Sequence, residues 1–386
     1  RVLYRKTTTH RVVVARKVYS PRRSKSTIVV HNRRGTTVVH KNKRGKTTGC
    51  RFERIHRFKN LGKCRLGIQG HDSKSDQTAS SCSGTAFTVA PLNGGSTSNI
   101  VPTGITYSWS APTVTGGLTG GVSAIGQTII AGNLTNPTNS IQTAIYTVTP
   151  STSLCTGLPF TVTVTINPKP FVTPRTETIC SGGTFTTTLT DGSPLASTII
   201  PLGTTYSWSA PTVTGGITGG VAGTSQSTIF GTLTNPTNLV QTATYTVIPT
   251  SGTTGSCVGS SFTVTVTVNP KPVIPVQAST ICSGSAFTVS PINATPTTAT
   301  IVPSGTTYTW TVVDNPDVSG DVDQSTAQTS ISQNLINLTN TVQTVVYTVT
   351  PKSGAAGNCV GLPFTITVTV NPTPVVPAQN AIICSG

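Results

Sequence analysis

Cysteine is the residue type here whose spacing most plainly implies chemistry. From residue 77 onward the cysteines fall into two series. Cys82, Cys180, Cys282 and Cys384 each sit in an S-C-S-G or I-C-S-G motif, 98, 102 and 102 residues apart. Cys155, Cys257 and Cys359 form the second series, each within C-x-G. No histidine follows His71, so regularly placed cysteines point to disulfides in an oxidising compartment rather than to metal. Six cysteines are the structural-disulfide candidates: Cys82, Cys155, Cys180, Cys257, Cys282 and Cys359. Two pairings fit the spacing. One closes each unit on itself (Cys82–Cys155, Cys180–Cys257, Cys282–Cys359). The other staples across a joint (Cys155–Cys180, Cys257–Cys282, Cys359–Cys384). The proline-containing stretch between units resists the shorter closure, which favours the first. Closing a loop of about 77 residues stabilises a module by roughly 4 kcal/mol through lost chain entropy.

Other chemistry finds little material. Without histidine, neither a Ser-His-Asp nor a Cys-His arrangement can be assembled from the repeats. The first unit has no acids and the second only Glu177 and Asp191, too few for paired-carboxylate catalysis. The third unit carries Asp314, Asp317, Asp321 and Asp323, a weak calcium candidate set by a solvated loop. Trp109, Trp208 and Trp310 could stack on a sugar ring, but one Trp per unit on a central strand reads as a core pin. Tyr146, Tyr245 and Tyr347 read as core aromatics beside them. Asn133 and Asn337 open Asn-Leu-Thr acceptor patterns for N-glycosylation. No catalytic residue and no cofactor is expected.

The elements that must position these residues are repeats. YSWSAPTVTGG occurs at 107–117 and again at 206–216. A period near 100 residues is a whole domain rather than a solenoid turn. In the second unit, alternation and turn signals predict strands at 174–179, 185–189, 204–208, 227–233, 241–248 and 262–268, with an irregular Gly-rich edge at 215–221. About seven strands without a helical period imply two antiparallel sheets packed face to face, an immunoglobulin-like sandwich. The divisions are a leader at 1–77, repeats at 78–173, 174–275 and 276–377, and the start of a fourth repeat at 378–386. Asn-Pro-x-Pro joints connect them and favour extended backbone. The chain stops four residues into a motif that elsewhere opens a unit, and reads as a piece of a longer polypeptide.

The leader is a different polymer. Residues 1–76 hold 22 of the 26 Lys and Arg, whereas the remaining 310 carry 4 basic and 6 acidic groups. Three readings stand. One is a leader that is out of frame or mis-assembled: Ile68-Gln69-Gly70-His71, shifted by one nucleotide, can encode Asn-Pro-x-Pro. The others are a disordered basic linker and a basic arm for nucleic acid or an anionic surface. Cys50, His56, Cys64 and His71 lack the tight C-x2-C pairs of structural zinc sites. No run of 18 apolar residues is present to span a membrane.

The combination ICSG–FTV–TYSWS–LTNPTN–QTAxYTVTP–C-x-G–PFTVTVTVNPKP resembles the PKD-like and Ig-like tandem repeats of very large surface proteins of Bacteroidota, gliding-motility adhesins among them. The resemblance covers residues 78–386. It implies a β-sandwich, export to the cell surface, and a role in adhesion or as a spacer; it implies no catalytic residues. Partners would be neighbouring repeats, with surface glycans or proteins as ligands; the repeats give no reason to expect nucleic acid. The alternative is a set of glycan- or protein-binding accessory modules of a secreted multidomain enzyme.

Overall fold

The computed structural model describes residues 76–93, 99–193, 195–252, 255–354 and 357–381, and the backbone of three strands before them. Those are β1 (Ala15–Val18), β2 (Thr27–Asn32) and β3 (Gly35–His40), an antiparallel sheet in that order. Cys50, His56, Cys64, His71 and Cys384 lie outside the described residues.

The first module contains β4 (Gln77–Cys82), β5 (Ala86–Val89), β6 (Thr106–Trp109), β7 (Thr113–Val114), β8 (Ala124–Gln127), β9 (Ile130–Asn133), β10 (Gln142–Ser151) and β11 (Phe160–Asn167). The second repeats them as β12 (Arg175–Cys180), β13 (Gly183–Thr187), β14 (Thr205–Trp208), β15 (Thr212–Val213), β16 (Gly223–Gln226), β17 (Ile229–Leu233), β18 (Gln241–Thr250) and β19 (Phe262–Asn269). The third contains β20 (Gln277–Cys282), β21 (Ser285–Val289), β22 (Thr307–Val312), β23 (Val318–Ser319), β24 (Gln324–Gln328), β25 (Ile331–Asn337), β26 (Gln343–Lys352) and β27 (Phe364–Asn371).

Each module is a sandwich of a larger and a smaller sheet. In the second the larger runs β12-β19-β18-β14-β16, with β15 beside β18, and the smaller is β13-β17. Alternation builds the core. Phe262, Val264, Val266 and Val268 of β19 are buried, while the threonines between them are half-exposed. The β-branched residues suit a pleated surface with one face covered. Trp208 and Tyr245 lie in this core with Phe185, Tyr206, Ile229 and Leu233. Trp109 and Tyr146, and Trp310 and Tyr347, hold the same places in the other two cores.

One pairing departs from the antiparallel expectation. The opening strand of each module runs parallel to the last one: β4 with β11, β12 with β19, β20 with β27. Both strands run from the end where the chain enters to the end where it leaves, so they can only share an edge in the same direction. The Gly-rich stretch at 215–221 is also not the edge strand. Gly215 and Gly216 turn at positive φ, Ile217 is buried, and the edge is β16.

The C-S-G motif ties the two sheets together. Ser181 N–H donates to Asn269 C=O (2.9 Å), and Gly182 N–H donates to Leu233 C=O (2.8 Å). The Ser181 hydroxyl accepts the Asn235 N–H at 2.9 Å. Gly182 turns at φ 79°, which costs glycine little and other residues more. Asn235 is itself buried inside the Thr-Asn-Pro-Thr-Asn loop. Its amide donates to the carbonyls of Leu239 (2.7 Å) and Val268 (3.0 Å), and its Oδ1 accepts from the Thr237 N–H and hydroxyl. Asn136 and Asn337 make the same four bonds in their modules. The Asn337 acceptor pattern is therefore committed to the fold, its amide buried and bonded, whereas Asn133 is exposed.

Asn235→Ala removes the amide that donates to the Leu239 and Val268 carbonyls, the second of them a buried contact, and the Oδ1 that accepts from Thr237, a loss of about 2–3 kcal/mol. Asn133→Ala, on the surface, is expected to change stability by less than about 0.5 kcal/mol. Chemical denaturation of the two variants checks the contrast. Burial pushes the Tyr206 and Tyr308 phenols up to about 12, and burial, with the Asp321 carboxylate adding to it, raises Tyr347 as well. Below pH 10 folded and unfolded chains are both protonated at these sites. Above it the unfolded chain sheds its protons first, so stability is expected to fall from pH 10 towards 12. Thermal melts across that range, followed by tyrosinate absorbance, should show ionisation arriving together with unfolding.

Candidate functional site at the joints between modules

The described residues contain no cluster of three or more His, Cys, Asp or Glu side chains that could hold a metal ion. What the repeats do assemble is a pair of matching joints. In the first, β4 delivers Cys82 to the rung of the sheet occupied by Asn167 at the end of β11. The chain then continues through Pro168 and Pro170, both buried. Phe171 exchanges two backbone hydrogen bonds with Ile199 of the next module (3.0 and 2.9 Å). Val172 is 6% exposed and packs in the second module's core. The linker is thus the first element of the module it enters, not a free tether.

The second module answers with the loop between β18 and β19. Ser251 N–H donates to Cys257 C=O, and Cys257 N–H donates to the Ser251 hydroxyl, both at 3.0 Å. Gly259 N–H donates to Pro249 C=O at 2.8 Å. This folding-back turns the loop towards the preceding module. Gly255, at φ 111°, lies against the side chain of Asn167, and Gly259 lies against the Pro170 carbonyl. A Cβ at either position would collide with these groups, which is why small residues stand there. Asn139 Nδ2 of the first module donates to the Asp191 carboxylate of the second at 3.0 Å.

Across this contact Cys82 and Cys257 form a disulfide, with Cα atoms 5.6 Å apart. The second joint repeats it. Cys180 shares its rung with Asn269, Ser353 and Cys359 exchange the same two hydrogen bonds, and Gly357 and Gly361 lie against Asn269 and Pro272. Cys180 and Cys359 are bonded, again with 5.6 Å between Cα atoms. Each bond runs from the first cysteine of one module to the second cysteine of the next.

This corrects both pairings the spacing allowed. Cys82 ends β4 beside Asn167, whereas Cys155 follows β10, whose end is paired with the start of β11. The eight residues of β11 separate the two, roughly 26 Å at a strand's rise. A disulfide needs Cα atoms within about 7 Å, so closure within a module is geometrically barred. Cys155–Cys180 fails more widely, because those residues sit at the outer ends of adjacent modules. Cys155 occupies the proximal loop of the first module and is half-buried; Cys282 ends β20 with an exposed thiol.

The acidic loop of the third module is braced by backbone. Asp323 accepts the Val312 N–H at 2.8 Å, and Asp321, buried, accepts the Asn315 N–H at 2.9 Å. Asp314 and Asp317 are exposed. The loop changes a tryptophan. Trp109 and Trp208 donate their indole N–H to Val122 and Val221 at 3.1 Å. In the third module the matching Val322 carbonyl accepts from Gln333 at 2.6 Å instead, and Gln333 also accepts the Tyr347 hydroxyl at 2.8 Å. Trp310 Nε1 is left buried without a partner. The pattern that sequence reading missed, the buried Asn and the inter-module loop, was present as T-N-P-T-N and as glycines flanking the second cysteine.

No match to a curated protein was found. Among solved structures, the chain is similar to the human Desmocollin-1 ectodomain at 11% identity and a TM-score of 0.23, over 93% of this chain and 69% of that one. It is similar to human CDH23 EC21-23 at 15% identity and a TM-score of 0.23, over 76% and 97%. The four N-terminal Ig domains of Dscam1 isoform 6.9 match at 10% identity and a TM-score of 0.22, over 96% and 87%. The PKD-like domain profile matches three times, at residues 79–170, 177–272 and 277–374. These matches take in well over half of the sequence, and the chain belongs to the PKD-like domain family.

Proposed function

We propose that the repeats are a non-catalytic spacer and adhesin-stalk segment of a large secreted bacterial surface protein, in which each module is covalently clamped to the next. One observation carries this reading: both described disulfides join consecutive modules rather than stabilising one. A bond placed at a joint restricts bending and extension there. Its sequence separations of 175 and 179 residues correspond to about 5 kcal/mol of lost unfolded-chain entropy for one such closure. Disulfides of this kind persist outside the cytoplasm, which supports a surface location. The Thr-rich outer faces, low in charge, suit a passive stalk. The modules neighbouring each other in the chain are the partners this reading requires.

The two closures overlap, and the overlap limits extension. Residues 180–257 lie inside both loops. With both bonds intact, the shortest covalent path from Cys82 to Cys359 crosses to Cys257, returns along 77 residues to Cys180 and crosses again. At ~3.5 Å per residue that path is roughly 270 Å, against roughly 970 Å along the reduced chain. A second reading, ligand binding by the third module, rests on a surface groove lined by Thr309, Asp323, Gln324 and Thr348.

Single-molecule stretching between anchors outside Cys82 and Cys359 is expected to give several-fold shorter full extension in the oxidised chain than after reduction. Equal extensions would overturn the clamp. Non-reducing peptide mapping should recover Cys82–Cys257 and Cys180–Cys359 as linked pairs. For the second reading, glycan-array binding by the whole chain that is lost in Asp323→Ala would move the function to the third module.

A further inference from the structure

The third module ends in a surface that the first two keep covered. Cys282 stands on the same rung with Asn371 as Cys82 does with Asn167 and Cys180 with Asn269. The earlier cysteines are bonded to the following module; the Cys282 thiol is exposed. The linker after it shows the same contrast independently. Val172 and Ile274 are 6% and 7% exposed in the cores of the modules they enter, but Val376, at the equivalent position, is 80% exposed. Pro170 and Pro272 are buried, and Pro374 is exposed. Asn167 and Asn269 are covered by Gly255 and Gly357, while Asn371 is half-buried. A thiol and an apolar linker, each covered twice earlier in the chain, thus face solvent beside a half-buried amide.

We propose that this surface is a docking socket for a further PKD-like unit following in the same polypeptide. That unit's linker valine would be Val376, and its second-series cysteine would bond Cys282. The proposal rests on the clamp reading above. A second copy of the chain is a poorer occupant, because its Cys257 and Cys359 are already bonded within it and its Cys155 is not without a partner. The sequence beyond the described residues supplies Cys384-Ser385-Gly386, the motif that opens each unit. Bond formation takes two thiols to one disulfide. The two protons and two electrons released reduce a small-molecule disulfide, oxidised glutathione, to two thiols.

The test extends the chain in register by appending a copy of residues 285–377 after Gly386, and refolds it with oxidised and reduced glutathione. Mass spectrometry of non-reduced peptides is expected to show Cys282 linked to the appended copy of Cys359. Iodoacetamide should label Cys282 in the original chain and not in the extended one. Labelling of Cys282 in the extended chain, with Cys82–Cys257 and Cys180–Cys359 formed, would overturn the socket and leave the clamp standing. Dimers linked through Cys282 would overturn the choice of occupant. Loss of the two internal bonds would overturn clamp and socket together. Cys282→Ser in the extended chain separates docking from bonding: hydrogen exchange at Val375 should stay slowed at least tenfold relative to the original chain. Unslowed exchange there would show that the surface is no socket.

Discussion

The parallel pairing of each module's opening and closing strands is the constraint on which the joints depend. It brings the first cysteine to the rung where the last strand ends, at the edge the chain leaves from. Were the opening strand antiparallel to its neighbour, that cysteine would sit at the entry end, far from the next module. Parallel strands cannot be joined by a tight turn and need a long crossover. Here the remainder of the module is the crossover. The same geometry lets the serine of C-S-G reach both the last strand and the buried asparagine loop, so one motif braces the sandwich and presents the thiol.

The linker shows how covalent and non-covalent terms share the joint. Val172 and Ile274 belong to the cores of the modules they enter, and full burial of such a side chain is worth about 1.5–3 kcal/mol. The disulfide adds a chain-entropy term of about 5 kcal/mol. Glycine at the contact points permits the close approach that both require. The third module keeps the core and the main strands while rebuilding one loop: the short strand beside β10 and β18 has no counterpart on β26, and β23 pairs with β25 instead. Gln333 takes over the valine carbonyl and satisfies the Tyr347 hydroxyl, at the expense of the Trp310 N–H. Tyr245, which faces Gly231 instead of a glutamine, has no hydrogen-bond partner for its hydroxyl. Each arrangement leaves one buried donor unpaired, on a different residue.

Much of the sandwich was legible locally. Strict alternation of Val and Thr marked 262–268 within a residue of β19, because a strand with one covered face imposes a period of two. The stretches 204–208 and 241–248 were legible for the same reason, within two residues of β14 and β18. The edge strand Gly223–Gln226 was not, since an edge strand with little buried surface needs no such alternation. Asn235 read as an ordinary turn residue. Its role depends on the Val268 carbonyl, 33 residues away, and no local pattern reports such a contact. Asn337 looked like an acceptor pattern because Asn-Leu-Thr is the same string whether its amide is exposed or buried.

The amino-acid sequence by itself determined the module, its length, its core-facing residues and the presence of two cysteines in each complete repeat. These follow from periodicity and composition, which act on neighbours along the chain. Only the tertiary structure decided which cysteines meet. Spacing counts residues, but a disulfide requires proximity of about 7 Å or less, and strand direction places the two cysteines of one module at opposite ends of its sheet. The partner within reach therefore belongs to the next module, 175 or 179 residues away.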